Sequence, residues 1–233
     1  SGHRHAAAEH DRRRLGLVGP AVTDHPQIEE LLSRLIRRGA QLSVSSLRLT
    51  SLNSEIMGYL VKGGMRSVAI APEAGSECLR QTIRKGITEE QVLEAVRLAA
   101  EKGIQQLKLY FMIGLPEETD SDIRSISDLV LACKGEIEKR RAKTRLTLNI
   151  SPFVPKAGTV FQLFPMASLD VLQDRLRIIK SSLSHQGIQV KNESPAWSEV
   201  QAVLSRGDSR LAAVLADIRG ESLSAWRESA GRH

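Results

Sequence analysis

The sequence predicts an α/β fold: an incomplete, parallel (β/α) barrel of the TIM-barrel kind, followed by a small helical C-terminal extension. Three observations predict it. Short apolar strands alternate with amphipathic helices over residues 15–192. Their connections are short, which requires parallel pairing with right-handed crossovers. Polar or glycine-bearing sets also recur after successive strands: Gly19 and Pro20 with Thr23 and Asp24; Ser45 and Ser46 with Arg48; Glu73 to Ser76; Gly114 to Glu117; and Ser151 to Phe153. Groups spread over five strand ends are what a barrel mouth presents. A doubly wound nucleotide-binding sheet competes, but no G-x-G-x-x-G follows the first strand and no Walker A loop occurs. Residues 1–14 read as a flexible N-terminal segment, 15–192 as the partial barrel and 193–233 as the helical extension.

Taken in order, Leu15 to Gly19 is a short strand, and Asp24 with Pro26 supplies the N-cap region of a helix that stops at Gly39. Gln41 to Leu47 is a strand, and Ser51 to Lys62 a helix closed by Gly63 and Gly64. Ser67 to Ala71 is the third strand, after which Ser76 caps a short helix carrying Cys78 to Arg84. Thr88 to Gln91 form a capping box, opening a helix with Val92, Ala95, Val96 and Ala99 on one stripe. Leu107 to Ile113 is a strand, Asp120 to Arg141 a long helix with a basic tail, and Leu146 to Ser151 a further strand. Ser168 starts a helix reaching about His185, and Ile188 to Val190 is a last short strand. Ser194 and Pro195 start a helix through Leu204, Leu211 to Ile218 form another, and the tail after Gly220 reads as frayed.

Composition excludes several classes of function. The chain has 233 residues, 41% hydrophobic and 26% charged, enough to bury a full core. Aromatic residues make up only 3%, which argues against recognition by base stacking or an aromatic cage. The net charge of +6 is concentrated in Arg12 to Arg14, Arg37 with Arg38, and Lys139 to Arg141. Such runs read as solvated faces and loop ends, with RNA or another polyanion as the alternative partner. Cys78 and Cys133 make neither a disulfide framework nor a zinc pattern, which predicts a reducing, cytoplasmic setting. No apolar run is long enough for a membrane span, no signal peptide is visible, and His3, His5 and His10 read as part of a mobile tail.

The stretch Leu107 to Thr119, LKLYFMIGLPEET, is the centre of the arrangement. A buried strand runs directly into a glycine turn, and ligands bind at the carboxyl ends of such strands. Gly114 lets the backbone approach a planar or bulky group, Pro116 stiffens the turn, and Glu117 or Glu118 supplies a carboxylate at the mouth. An ordinary strand-to-helix connection is the competing reading.

With the preceding block included, APEAGSECLRQTIRKGITEEQVLEAVRLAAEKGIQQLKLYFMIGLPEET resembles the second half of a radical S-adenosylmethionine (radical SAM) enzyme barrel. More narrowly, it is similar to bacterial iron–sulfur oxidoreductases in which a cobalamin-binding-like domain often precedes the barrel. The resemblance covers residues 15–192 and rests on PEAGSE and MIGLPEET in this order. It implies an incomplete six-stranded barrel binding S-adenosylmethionine and a [4Fe-4S] cluster, with cobalamin a further cofactor of the parent protein. It also implies that the Gly114 to Glu117 turn packs near the adenine, that Glu73, Gly75 and Ser76 lie close to the ribose and methionine, and that Lys85 meets the methionine carboxylate. Gly19 and Pro20 stand where the family has a glycine-rich motif, although GPAVTD departs from the usual Gly-Gly-Glu. Arg48 and Ser151, at further strand ends, complete the expected cofactor-binding set. On this reading Gly114→Val abolishes cofactor binding with little change in melting temperature, because the loop lies at the mouth.

The family's first strand ends in a C-x-x-x-C-x-x-C loop that holds the cluster, and no such triplet occurs here. Cys78 and Cys133 fall in predicted helices, as packing residues. The expectation is therefore a C-terminal portion of a radical SAM enzyme, lacking the first strand and cluster loop and inactive alone, with catalytic residues and substrate unassigned. A missing first strand would leave an open edge beside Leu15 to Gly19, covered by the N-terminal tail or used for self-association. Two other readings remain: a noncatalytic half barrel binding RNA or protein, and an aldolase-like barrel with Lys108 or Lys156 forming a Schiff base beside Glu73.

Overall fold

The computed structural model describes residues 14–19, 22–44 and 47–233. Pro20, Ser45 and Ser46 lie outside the described residues, as does the 1–13 segment that carries three histidines and is one of the two expected partners, beside a second copy, for the edge at Leu15 to Gly19. The chain divides into two compact units, one of Ser1–Ile70, Ile87–Lys108 and Ala132–Leu146, the other of Ala71–Gly86, Leu109–Leu131 and Thr147–His233.

In the first unit, strand β1 (Arg14–Leu17) pairs in parallel with β2 (Gln41–Val44), in a register that sets Arg14 opposite Gln41 and Leu17 opposite Val44. Helix α1 (Ile28–Arg37) connects them, and α2 (Ser54–Lys62) follows β2. Ile28 and Leu32 of α1, Ala40 and Leu42 at β2, and Ile56 and Leu60 of α2 form one buried cluster. The expected N-cap at Asp24 is not formed. A 3-10 turn occupies Val22–Asp24, the α1 cap is Gln27, and His25 Nδ1 accepts the Gln27 N–H at 3.1 Å. Helix α2 likewise starts three residues later than the sequence suggests, because the Asn53 side chain accepts the Ile56 N–H at 2.8 Å and Leu49–Ser51 form a second 3-10 turn.

Strands β3 (Ser67–Glu73), β4 (Gln106–Ile113), β5 (Arg145–Pro152) and β6 (Gln189–Asn192) lie in that order in a four-stranded sheet, with β5 and β6 parallel. No closed barrel is present among the described residues, in which the strands form one two-stranded and one four-stranded sheet. Burial alternates along β3 and β4: Val68, Ile70 and Pro72 are buried, as are Leu107, Leu109, Phe111 and Ile113, while Ala69, Glu73, Lys108, Tyr110 and Met112 are not. Such a strand has one core face and one open face.

Between β3 and β4 come α3 (Glu77–Thr82) and α4 (Glu89–Glu101), the latter opened by the Thr88–Gln91 capping box. Helix α5 (Asp120–Lys139) follows β4 and buries Ile123, Ile126, Leu129, Val130 and Cys133. Helix α6 (Leu169–Leu183) precedes β6, and α7 (Pro195–Arg206), α8 (Leu211–Asp217) and α9 (Leu223–Arg232) close the chain. The end that reads as frayed is α9, capped by Ser222 and buried through Trp226 against Val200 and Val214. Of the two cysteines, Cys133 is a packing residue as expected, but Cys78 is exposed on α3.

Candidate functional site

The candidate site residues from Glu73 onward belong to the second unit. Glu73 ends β3 with φ 72, a left-handed conformation that costs a residue bearing a β-carbon roughly 1–2 kcal/mol. Its Oε1 stands 3.2 Å from Lys85 Nζ, and both side chains are partly exposed. Ser76 caps α3, accepting the Leu79 N–H at 3.1 Å, and donates its hydroxyl to Asp122. Burial raises the Asp122 carboxyl, but hydrogen bonds from Ser76 and Thr119 outweigh it and hold the group below the ordinary carboxylate value. Arg80 is fully buried, and its Nη1 donates to the carbonyls of Ala74 at 3.0 Å and Gly75 at 2.7 Å, fixing the loop from behind. Gly75 has a packing role: a β-carbon there would stand 2.6 Å from the Ile126 backbone nitrogen, so the glycine lets α5 abut the loop.

The second turn is built on Glu118. Its carboxylate is almost wholly buried, accepts the Gly114 N–H at 2.6 Å, and pairs with Arg175 of α6 at 2.5 Å. Arg175 also donates to the Glu118 carbonyl at 2.9 Å. Burial pushes the Glu118 carboxyl up to about 7, against the opposing pull of the Gly114 N–H and the Arg175 guanidinium. Of the two glutamates considered for the mouth, Glu118 therefore points inward as the turn's anchor, and Glu117 is the exposed one, at φ 63.

Gly114 itself is buried with φ 81, and a β-carbon there would stand 2.8 Å from Leu172 Cδ2 and 3.1 Å from Ala167 Cβ. This corrects the expectation that the position is unpacked: the glycine is required by the turn and by its neighbours in the segment leading into α6.

The ends of β4 and β5 are adjacent, for the Phe153 N–H donates to the Ile113 carbonyl at 2.8 Å. Ser151 is partly buried near the end of β5, and two residues before it the Nδ2 of Asn149 is buried without a hydrogen-bond partner. Asn149 lies opposite Lys191 in the β5–β6 register. Gly19 and Arg48 belong to the first unit. There Arg48 pairs with Asp24 at 2.5 Å, its N–H donates to Thr23 Oγ1 at 3.1 Å, and Ser51 bridges Thr23 and Asp24, so the two 3-10 turns are clasped together. Lys108 is partly buried on the non-core side of β4, and Lys156 is exposed.

Sequence reasoning missed Arg80, Asn149 and Arg175. The first and last lie in ordinary helical patterns with nothing local to mark them. Asn149, a polar residue between the buried Leu148 and Ile150, carried a signal that alternation could have found.

As for a metal, no group of three or more His, Cys, Asp or Glu residues among the described residues could hold one. The exposed Cys78 and the buried Cys133, its thiol pushed up to about 12 chiefly by burial, are not a cluster-ligand set.

A parallel sheet with polar turns at its strand ends is the framework of an α/β enzyme domain. The radical SAM superfamily model matches residues 4–130, more than half of the chain, and the chain belongs to that superfamily. An uncharacterized protein of Methanocaldococcus jannaschii is 36% identical over 204 residues, which cover 87% of this chain and 43% of that protein. The chain thus spans less than half the length of that relative. Among solved structures it is similar in fold to Streptococcus suis SuiB, with TM-score 0.52, 10% identity and coverage of 91% of this chain and 44% of that one. It is likewise similar to Escherichia coli coproporphyrinogen III oxidase, described as a radical SAM enzyme, with TM-score 0.50, 13% identity and coverage of 91% and 47%.

Proposed function

We propose that this chain is the cofactor-positioning part of a radical SAM iron–sulfur enzyme, an oxidoreductase whose substrate its residues do not name. The observation that carries the reading is the pair of turns Glu73 to Ser76 and Gly114 to Glu118 at the ends of the adjacent strands β3 and β4, the first held from behind by the buried Arg80 and the second by the partly buried Arg175. The donor set suits S-adenosylmethionine. Lys85 offers a cation to the methionine carboxylate, Glu73 an acceptor to the ammonium or ribose, and the orphaned Asn149 amide beside Ser151 a buried donor to a purine or sugar oxygen or nitrogen.

When bound, that cofactor supplies the sulfonium whose reductive cleavage begins radical chemistry. The chain's own residues bind and orient it. Arg80, Ser76 and Asp122 hold one turn, while Glu118 and Arg175 hold the other. The cluster ligands do not come from the described residues.

The test is the whole protein prepared without oxygen. Iron and sulfide analysis should find a [4Fe-4S] cluster, and dithionite with S-adenosylmethionine should release 5′-deoxyadenosine; a whole protein that binds no iron sinks the reading. Corrinoid absorbance in the same preparation tests the association with cobalamin.

A further inference from the structure

We infer that Arg175, a residue of α6 outside both motif blocks, is a positioning residue for cofactor binding, acting through the Glu118 carboxylate on the backbone of the Gly114 turn. The inference rests on the proposed function and deepens it. Its physical basis is a chain of three contacts. Arg175 Nη1 lies 2.5 Å from Glu118 Oε2, the same oxygen accepts the Gly114 N–H at 2.6 Å, and Arg175 Nη2 donates to the Glu118 carbonyl at 2.9 Å.

The guanidinium therefore grips residue 118 at both its side chain and its backbone. Two nitrogens of one planar guanidinium engaging the carboxylate and the carbonyl of a single residue fix its orientation as well as supply energy. A lysine ammonium would be a single point charge unable to reproduce the fork. The Glu118 side chain is 1% exposed and that of Arg175 13%, so neither charge is well hydrated and each depends on the other. Above about pH 7, where the Glu118 carboxyl is ionised, removing one partner of such a pair leaves a buried, uncompensated charge and releases what it held. What it holds here is the Gly114 N–H, in a turn whose left-handed glycine is already packed against Leu172 of the same helix.

The position of the turn is thus set from α6. The ion pair of Arg97 with Glu136, between α4 and α5, touches neither motif turn and serves as the control.

The experiment uses the whole, anaerobically prepared protein and compares Arg175→Met, Arg175→Lys, Glu118→Gln and the control Arg97→Met. Three quantities are read: S-adenosylmethionine affinity by equilibrium dialysis, amide exchange of residues 114–119, and melting temperature. Arg175→Met is expected to weaken cofactor affinity about tenfold or more and to speed exchange at Gly114. Arg175→Lys should recover part of both, whereas Arg97→Met lowers the melting temperature with affinity and Gly114 exchange unchanged. If Arg175→Met yields only aggregate, Glu118→Gln, of the same shape but uncharged, asks the same question. Wild-type affinity in a folded Arg175→Met or Glu118→Gln protein overturns this inference alone, as does an affinity loss matched by Arg97→Met. Failure of the wild-type protein itself to bind S-adenosylmethionine overturns the proposed function and the inference with it.

Discussion

At Gly114 the distances decide what a substitution does. Gly114→Val must adopt a left-handed backbone and push Leu172 aside, which together should cost roughly 2–4 kcal/mol. Thermal unfolding is expected to show this loss with or without cofactor; an unchanged melting temperature would contradict the packing. Glu118 makes a different residue-level prediction. With its folded carboxyl near 7 and an ordinary value of 4.5 in the unfolded chain, the native state holds a proton that the unfolded state has released between those values. The group's contribution to stability is therefore fully present below about 4.5 and is lost as pH rises through 7, up to ~3 kcal/mol over the window. Denaturant titrations from pH 4.5 to 8 should show that decline in the wild type and its absence in Glu118→Gln.

Among the elements, α5 shows how a helix start can double as a loop anchor. Thr119 and Asp122 cap each other: the Thr119 N–H donates to Asp122 Oδ2 at 2.8 Å, and the Asp122 N–H reaches Thr119 Oγ1 at 3.4 Å, while the other Asp122 oxygen takes the Ser76 hydroxyl. Asp122→Ala should cost about 1–2 kcal/mol, measurable by urea unfolding, and should also raise amide exchange in the loop at Ser76. The start of this helix at Asp120 was legible in the sequence, as were the Thr88 box and the Ser168 and Ser194 caps, because each signal is local. Asp24 serves Arg48 and Ser51 instead of capping α1, and Ser51 turns to Thr23 and Asp24 and leaves the α2 cap to Asn53, because these competing partners lie more than twenty residues away. Helix α9 was illegible for the same reason. Its stability comes from Trp226 meeting Val200 and Val214, and Trp226→Ala should cost roughly 3–4 kcal/mol to that helical end.

For the molecule as a whole, the order of strands and the two motif turns were readable, since period-2 burial and glycine turns are sequence patterns. The arginines behind the turns were not, since a buried arginine in a helix has the same local pattern as an exposed one. Molecular charge also governs the response to acid. Glu136, beside Lys139, Arg97 and Arg140, is held down to about 2, and Asp24, Glu90, Asp208 and Asp217 are each held low by hydrogen bonds from a neighbouring arginine. Carboxylates so placed contribute stability that is present above their ordinary values and is lost as pH falls toward their folded values. The melting temperature should therefore drop below about pH 4, more gently in 0.5 M salt because exposed pairs are screened, whereas the opposite slope due to Glu118 should survive salt.

The two tryptophans give the molecule a lopsided optical signature. Trp197 opens α7 at 43% exposure and Trp226 sits in α9 at 9%, so every indole in the chain lies in its last forty residues. Tryptophan emission, excited selectively over that of Tyr59 and Tyr110, therefore watches that helical end and is blind to the sheet and both turns. An emission shift that precedes the loss of far-ultraviolet ellipticity on heating would mean that the helices melt before the strands they follow.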